Sequence, residues 1–551
     1  MQFVEETGTA HLPGAQTGEK PVAPDPSRHG ASRSSWALSL IFLTLVTLLV
    51  NGYHPLSEDG GLYVAGVQLT LDPSLFPHYR VFVSEHLGFS VFAPVLAFVV
   101  RYTHLSLSWV LMLADLFSIW LTLYAGLRIL WRVMANPVAQ LAGLGLLSVF
   151  WCLPVAGTSL LLMDPYVTAR SFSTPLSLLA LACALDFTSS DEASLRPIVW
   201  SGLWLALAAT LHPLMAAYAF GFLVVLFVTR LRRPYLGYIV LAGSALSLAA
   251  AMHLFAPPET PALLAAERSR SYWFLSQWQW YELLGLVGPL LVLALLLIRY
   301  RRQSDPWNQT AQTLCRTGIA LGCISTLVTV IFAQEGSQTH LVARMQPLRV
   351  YLMIYAVMTL LLGATLTDMA MAACRRARSS LVRAMLVAAP VAGLLGLAGV
   401  MFFVQRQTYP ASEPIEVPWR AGESANPWLR AFFWCRANTP PDALFALDTK
   451  YVNEQGEDAQ TFRPAALRSA VPDYSKDGGE AAITPRLADR WIQGANAQVN
   501  LSTETDAERD ARLLPLGVTW MVLHASASTA YPCPYNNGVV KVCRLTPEPS
   551  R

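Results

Sequence analysis

The sequence predicts an all-α polytopic transmembrane bundle followed by a small C-terminal α/β domain. Three observations predict it. Of 551 residues, 54% are hydrophobic and only 14% charged, whereas a soluble globular protein carries about 25% charged residues. The apolar residues are gathered in runs of about 17 to 25, each long enough to cross a hydrocarbon core about 30 Å thick. From about Gln405 onward the long runs stop, charge rises and short strand-like pieces appear. The formal net charge of +3 is small and its basic residues sit in short loops, so no nucleic-acid partner is expected.

Residues 1–35 are polar, rich in Pro, Gly and Ser, and include Lys20, Arg28 and Arg33; they read as a disordered cytoplasmic tail. The run from Trp36 to Val50 follows too long a tail for a cleaved signal peptide and reads as a retained signal-anchor helix. Further spans are expected near 87–103, 105–130, 138–156, 173–188, 197–212, 213–228, 235–255, 281–298, 312–333, 347–366 and 385–404, about twelve helices in all. This divides the chain into the tail, a membrane domain over 36–404 with an outer loop at 52–86, and a soluble domain over 405–551.

Basic loops set the orientation. Arg128 with Arg132, Arg230 to Arg233, Arg299 to Arg302, and Arg375 to Arg383 fall on the cytoplasmic side by the positive-inside rule. Counting forward from the last of them puts the C-terminal domain outside, together with the loops at 157–172, 256–280 and 334–346. Counting from a cytoplasmic tail through twelve crossings brings the C-terminus back inside. The two counts differ by one helix, so an extra or re-entrant segment is expected in 105–134 or 52–103, giving thirteen.

In the C-terminal part, Ala443 to Leu447 and Leu516 to Leu523 read as strands, the second following a charged helix from Glu504 to Leu513. Five of the eight cysteines, Cys152, Cys183, Cys315, Cys323 and Cys374, lie in or beside spans without metal-ligand spacing. Cys533 and Cys543 bracket Pro-Tyr-Asn-Asn-Gly, a hairpin turn, and are a disulfide candidate if this part faces an oxidising space.

Four constellations can carry chemistry. In the first outer loop, Glu58 and Asp59 are followed by two glycines; adjacent carboxylates outside the bilayer can act as general base or bind a divalent metal, or form a solvated turn. His54 and Arg80 stand in the same loop. Asp164, with Arg170 six residues on, offers a second carboxylate or a simple interfacial ion pair. His212-Pro213 breaks a long apolar run, either as a capped turn or as a polar group facing a cavity. Arg344 and Arg349, beside His340 and Gln346, precede a span on its outer side, where guanidinium groups suit a lipid phosphate or snorkel to the interface. The outer loop at 267–280 adds Trp273, Trp278 and Trp280, which fit an interfacial aromatic belt or sugar stacking. No Ser-His-Asp order, Walker loop, Rossmann fingerprint or Cys/His cluster is present.

An acidic first outer loop, amphipathic loop segments such as Leu62 to Leu71 and Leu75 to Val83, many helices with short basic inner loops and an extracytoplasmic C-terminal domain together resemble the C-class membrane glycosyltransferases (GT-C) over roughly the first 400 residues. The resemblance implies a GT-C-like bundle whose first-loop carboxylate, Asp59 with Glu58 as second candidate, is catalytic base or metal ligand, with Asp164 as second carboxylate. The metal implied is a divalent ion such as Mg or Mn, on Asp59 and Asp164. Many relatives carry Asp-Xaa-Asp or Glu-Xaa-Asp, and the contiguous pair here departs from that pattern. His54, Arg80, Arg170, His212, Arg344 and Arg349 form the expected set for carrier phosphate and substrate. The implied partners are the bilayer, a polyprenyl-phosphate-linked sugar and a glycan, lipid or protein acceptor. The few Asn-Xaa-Ser/Thr sites, among them Asn308 and Asn500, favour a bacterial inner membrane, with the N-terminus cytoplasmic and the C-terminal domain periplasmic. Two other readings stand beside this one: a transporter or flippase of lipid-linked glycan, and a non-catalytic envelope scaffold.

Overall fold

The computed structural model describes residues 33–189, 194–302, 305–448 and 462–545. The expected N-terminal tail lies outside them up to residue 32. The first helix, α1 (Arg33–Asn51), is followed by three helices of the first long loop: α2 (Glu58–Leu71), α3 (Val81–Ser84), which runs on as a 3-10 turn to Phe89, and α4 (Phe92–Thr103). Then come α5 (Leu107–Val133), α6 (Pro137–Val149), α7 (Ala169–Ser189), α8 (Arg196–Leu211), α9 (Pro213–Thr229), α10 (Pro234–Phe255), the loop helix α11 (Pro261–Arg268), α12 (Trp280–Tyr300), α13 (Pro306–Phe332), the short α14 (Leu341–Arg344), α15 (Tyr351–Arg376) and α16 (Ser380–Thr408).

Proline punctuates this series. It opens α6, α9, α10, α11 and α13, where its missing N–H costs nothing and its fixed φ suits the first turn. Asn136, Thr260 and Asp305 cap α6, α11 and α13 with side-chain oxygens. Within apolar runs the helix is the form that satisfies every backbone polar group without water.

Seven helices or helix runs are individually long and apolar enough to cross a membrane: α1, α5, α10, α12, α13, α15 with its preceding turns, and α16. The shorter apolar helices α6, α8 and α9 complete the bundle. Its centre is α15, buried from Tyr351 to Leu361. A side chain at Gly143 of α6 would meet the Leu360 carbonyl at 2.7 Å, and one at Gly363 the Ala142 carbonyl at 2.8 Å. These two glycines let α6 and α15 approach backbone to backbone, a packing mode suited to lipid. By contrast, α10 and α16 are exposed along most of their length and apolar all round, the pattern of lipid-facing helices.

Each of the twelve expected segments is helical, and no thirteenth span appears among the described residues. The region 52–103, one of the two expected to hold an extra or re-entrant segment, contains a sharply bent helix pair that ends in α4. The segment Val81–Phe89 meets Phe92–Thr103 at 97°, and α4 runs alongside α2: Tyr63 packs on Phe92 at one end, and Arg101 donates to the Thr70 carbonyl at the other. Its N-terminus lies at the tip of the α8–α9 hairpin, where Val91 N–H donates to Thr210, and its C-terminus leads directly into α5. Both ends of α4 are therefore on the same side of the bundle. One face, with Phe92, Ala93, Leu96 and Ala97, is buried, while Val95, Phe98 and Tyr102 are exposed, as in a helix lying along a membrane interface.

Asp186 at the foot of α7 pairs with Arg128 and Arg132 of α5, marking the basic end. At the other end, Tyr53 after α1 bridges to Ile415 after α16.

The C-terminal part contains α17 (Pro427–Asn438), β1 (Leu444–Leu447), α18 (Phe462–Ala466), β2 (Ser469–Ala470), α19 (Lys476–Ile483), α20 (Ala488–Ala497), α21 (Asp506–Leu513), β3 (Trp520–His524), β4 (Tyr535–Asn536) and β5 (Val540–Arg544). The sheet order is β2-β1-β3-β5-β4, with β1 parallel to β2 and β3, and β5 antiparallel to β3 and β4. Trp428, Phe432 and Phe462 cover one face over Phe445 and Val522; Leu501 and Leu513 cover the other over Leu444 and Met521. Cys533 and Cys543 are disulfide-bonded, spanning the hairpin whose turn contains Gly538 at φ 86°.

This domain is seated on the long loops that precede α5 and α12. Gln68 of α2 donates to the Pro464 carbonyl, and Arg270 donates to the Ser475 and Tyr474 carbonyls at 2.6 and 3.0 Å. Phe82, Trp273 and Phe274 pack with Ala481, Leu487 and Trp491 in a single apolar cluster.

Candidate functional site

The start of α2 is pressed against the loop that follows α6. A side chain at Gly60 would meet the Pro55 carbonyl at 2.8 Å and Tyr166 at 3.0 Å, so glycine is what permits the approach. His54 N–H also donates to the Pro165 carbonyl at 2.7 Å. Glu58, the first residue of α2, has φ 48°, a left-handed backbone that is unfavourable for a side chain of this kind and is found at sites where geometry is constrained. The first helical turn then presents Glu58 and Asp59 together, at the positive end of the helix dipole.

Both carboxylates meet one ammonium group. Lys476, the first residue of α19, donates to Asp59 Oδ1 at 3.1 Å and also to Glu58. The Asp59 side chain remains 55% exposed, and Lys476 is 17% exposed. The Lys476 charge holds the Asp59 carboxyl below the ordinary carboxylate range, burial acting in opposition and Arg170 and Arg349 adding to the lowering. Burial pulls Lys476 the other way, but Asp59 and Glu58 outweigh it and hold the ammonium above its usual range. Glu480, one turn further along α19, is pushed up to about 8 by burial, with Asp477 and Asp59 adding to it.

Asp164 is 4% exposed and its carboxylate is gripped by the Arg170 guanidinium, which also donates to the Leu161 carbonyl. Burial raises the Asp164 carboxyl, Arg170 opposes this, and Asp59 raises it further. Asp59, Asp164 and Arg170 therefore act on one another directly. Arg349 joins them: its charge reaches Asp59 and His212. The Arg349 guanidinium lies over the Tyr272 ring at 5.5 Å, its Nε is buried without a hydrogen-bond partner, and it makes no ion pair with any described residue. His212 accepts from Met215 N–H and caps α9.

Three expected residues lie elsewhere. The Arg344 guanidinium donates to Glu267 Oε1 at 3.0 Å and Glu259 Oε1 at 2.8 Å, so it does not share a ligand with Arg349. Arg80 is an exposed residue bonded to the Pro73 carbonyl. His54 is buried, stacked on Tyr409 at 3.9 Å and beside Glu416.

Asp59 and Asp164, the carboxylates expected to hold a divalent ion, each face a protein cation, Lys476 and Arg170 respectively. Another group, Glu259, Glu267 and His340, brings three ligand atoms within 4.8 Å of one another. It can hold a metal by spacing. Arg344 bonds both of its glutamates, however, and His340 donates or accepts at Glu267 at 3.1 Å, so its charges are also balanced within the protein. Burial pushes Glu259 up to about 7, helped by Glu267.

One site residue was missed in the sequence. Asp115, in the first half of α5, is 2% exposed, lies in the field of Asp164 and itself acts on Tyr53; a carboxylate inside an apolar span was a signal in its own right. Lys476 stands out in the sequence within Lys476-Asp477-Gly478-Gly479, a stretch that could contact an acceptor glycan, but nothing local shows that its partners are in the first loop.

Among solved structures, the chain is similar to the oligosaccharyltransferase of Archaeoglobus fulgidus, crystallised with zinc and sulfate, with a TM-score of 0.41 and 12% sequence identity over 88% of this chain and 68% of that one. No protein-family model matches the chain. No curated protein matches it by sequence.

Proposed function

We propose that this chain is a membrane glycosyltransferase of GT-C type, taking its sugar from a polyprenyl-phosphate carrier at the side of the membrane that bears the C-terminal domain. The observation that carries this reading is an open carboxylate, Asp59, within the field of an arginine, Arg349, that stacks on Tyr272 and pairs with no carboxylate among the described residues. Transfer from a phosphate-linked donor needs a group to take the acceptor's proton and a cation to receive the leaving phosphate.

In this scheme the acceptor oxygen attacks the anomeric carbon, the bond from that carbon to the phosphate oxygen breaks, and the phosphate keeps the electron pair. Asp59 takes the acceptor proton. Arg349 holds the departing phosphate, whose charge it can match with two parallel N–H donors. Lys476 keeps Asp59 ionised and aimed, and the Asp164–Arg170 pair forms a fixed polar wall beside it. The exposed apolar face of α4 lies next to α2 and suits a lipid chain entering from the bilayer. The basic loops at the end of the bundle away from the C-terminal domain support a cytoplasmic N-terminus and an extracytoplasmic site, here placed in a bacterial inner membrane.

The test is transfer from a synthetic polyprenyl-phosphate sugar by full-length protein in lipid nanodiscs. Asp59→Asn is expected to lose at least a hundred-fold in turnover while retaining its unfolding temperature. Full activity in that variant would remove the proposal.

A further inference from the structure

Tyr53, Gln68 and Glu416 each carry a buried oxygen with no hydrogen-bond partner: the tyrosine hydroxyl, the amide oxygen and one carboxylate oxygen. All three residues line one cavity of about 460 Å³ between α2, the start of α5 and the C-terminal domain. Tyr53 is 1% exposed, and Glu416 is held beside it by a 3.0 Å hydrogen bond from its own N–H to the Tyr53 carbonyl. Gln68 is fixed from the other wall by its bond to Pro464.

The cavity is separate from the charged cluster. At 100° per residue, Gln68 faces the opposite side of α2 from Asp59, nine residues earlier. Val64 and Leu71 share that side with Gln68 and line the same cavity. One helix thus forms the common wall of two sites.

The lining specifies the ligand. Four carboxylates, Asp72, Glu413, Glu416 and Glu423, stand against two guanidinium groups, Arg420 and Arg436, and Arg420 is already bonded to Glu413 and Glu423. That excess of acid repels phosphate and carboxylate ligands. An unpartnered amide oxygen, an unpartnered hydroxyl and a carboxylate oxygen that meets only the His54 ring nitrogen, at 3.5 Å, call for a ligand with several hydroxyl groups, while Leu56, Val64 and Leu71 offer apolar surface to the faces of its rings. The volume falls within the usual range for a small-molecule site, about 300–1,000 Å³.

We infer that this cavity binds a neutral saccharide, a sugar unit of the acceptor glycan remote from the hydroxyl that reacts at Asp59. Its being an acceptor rests on the glycosyltransferase reading; saccharide binding itself does not. The ligand class then differs on the two sides of α2, a phosphate on the Asp59 side and an uncharged sugar on the Gln68 side.

The experiment is saturation-transfer NMR on the full-length protein in lipid nanodiscs, free of sugar detergents and without donor. The probes are glucose, galactose, mannose, N-acetylglucosamine, cellobiose and N,N′-diacetylchitobiose, against glucose 6-phosphate, glucuronate and glucosamine. Saturable binding of at least one neutral sugar, weakened ten-fold or more in the Y53F/E416Q double variant with its unfolding temperature kept, is the expected result. Should that variant fail to fold, Gln68→Leu on the facing wall serves the same purpose. The inference is overturned if no neutral sugar binds, if only a phosphorylated, acidic or amino sugar binds, or if the substitutions leave binding unchanged. Absence of saccharide binding with Asp59-dependent transfer intact would remove this inference alone; saccharide binding without any transfer would remove the functional reading alone.

Discussion

Lys476 and Asp59 are 417 positions apart in the chain and 3.1 Å apart in the fold. The ammonium lowers the Asp59 carboxyl, so removing it moves that carboxyl up. Lys476→Met is expected to lower turnover at least ten-fold and to shift the acid limb of the pH–rate profile to higher pH. Lys476→Arg, which keeps the charge, should leave the limb in place. Rate measurements from pH 4 to 9 on both variants decide this.

Arg349 stands ready for a phosphate because no protein carboxylate is bonded to it. Arg349→Gln is expected to raise the donor KM about 10- to 100-fold, the loss of a charge-assisted hydrogen bond of about 1.5–3 kcal/mol. The acceptor KM should change little. Arg344→Gln, in contrast, removes a structural pairing with Glu259 and Glu267 and should lower the unfolding temperature without a selective effect on donor affinity.

Glu480 supplies a pH dependence of stability. Its carboxyl is pushed from an ordinary value near 4.5 to about 8 in the folded protein. Between those values the folded state keeps a proton that the unfolded state has lost, so stability falls as pH rises through this window and levels off above it. Glu480→Gln should flatten that slope and raise the unfolding temperature at pH 8.5 relative to the unmodified chain. Thermal unfolding at half-unit pH intervals is the check, and identical slopes in the two proteins would refute it.

Behind Lys476, Arg463 grips Asp477 through two bonds of 2.8 and 2.7 Å, both side chains at most 5% exposed. Leaving one such partner buried alone costs about 3–5 kcal/mol. Asp477→Asn is expected to destabilise the C-terminal domain by an amount of that order and to reduce transfer, because α19 positions Lys476. Hydrogen exchange across α18 and α19 reads the first effect separately from the second.

The bond between Cys533 and Cys543 leaves six free cysteines. Denatured protein should therefore take up six equivalents of thiol reagent before reduction and eight after it. Eight before reduction would show the pair to be open.

The division into apolar bundle and C-terminal sheet domain was legible because it depends on run length and charge, which each local stretch records. Twelve helical segments could be located in the same way. The orientation of α4 could not be read: twelve residues from Phe92 to Thr103 are as apolar as a short span, and only the 97° turn before them and their packing along α2 place both ends on one side. At the site, Glu58, Asp59, Asp164 and Arg170 were visible as charges bordering apolar runs. Arg344 and Arg349 look alike in sequence, five residues apart, and only the loop carrying Glu259 and Glu267 separates their roles. Lys476 and the Tyr53–Gln68–Glu416 cavity depend on contacts between distant segments, which periodicity does not encode.

The bridge from Tyr53 to Ile415 and the reach of Lys476 to Asp59 have a consequence in time. The acidic pair is made early in synthesis and its counter-ion last. At about 5–20 residues per second, roughly 20–80 s separate the two, and throughout that interval the first loop holds two adjacent, uncompensated carboxylates. The nascent chain is thus unable to present the finished cluster until its C-terminal domain has been made and docked. A fragment released early, even one with most of its helices formed, would contain the acidic pair and lack the residue that balances its charge.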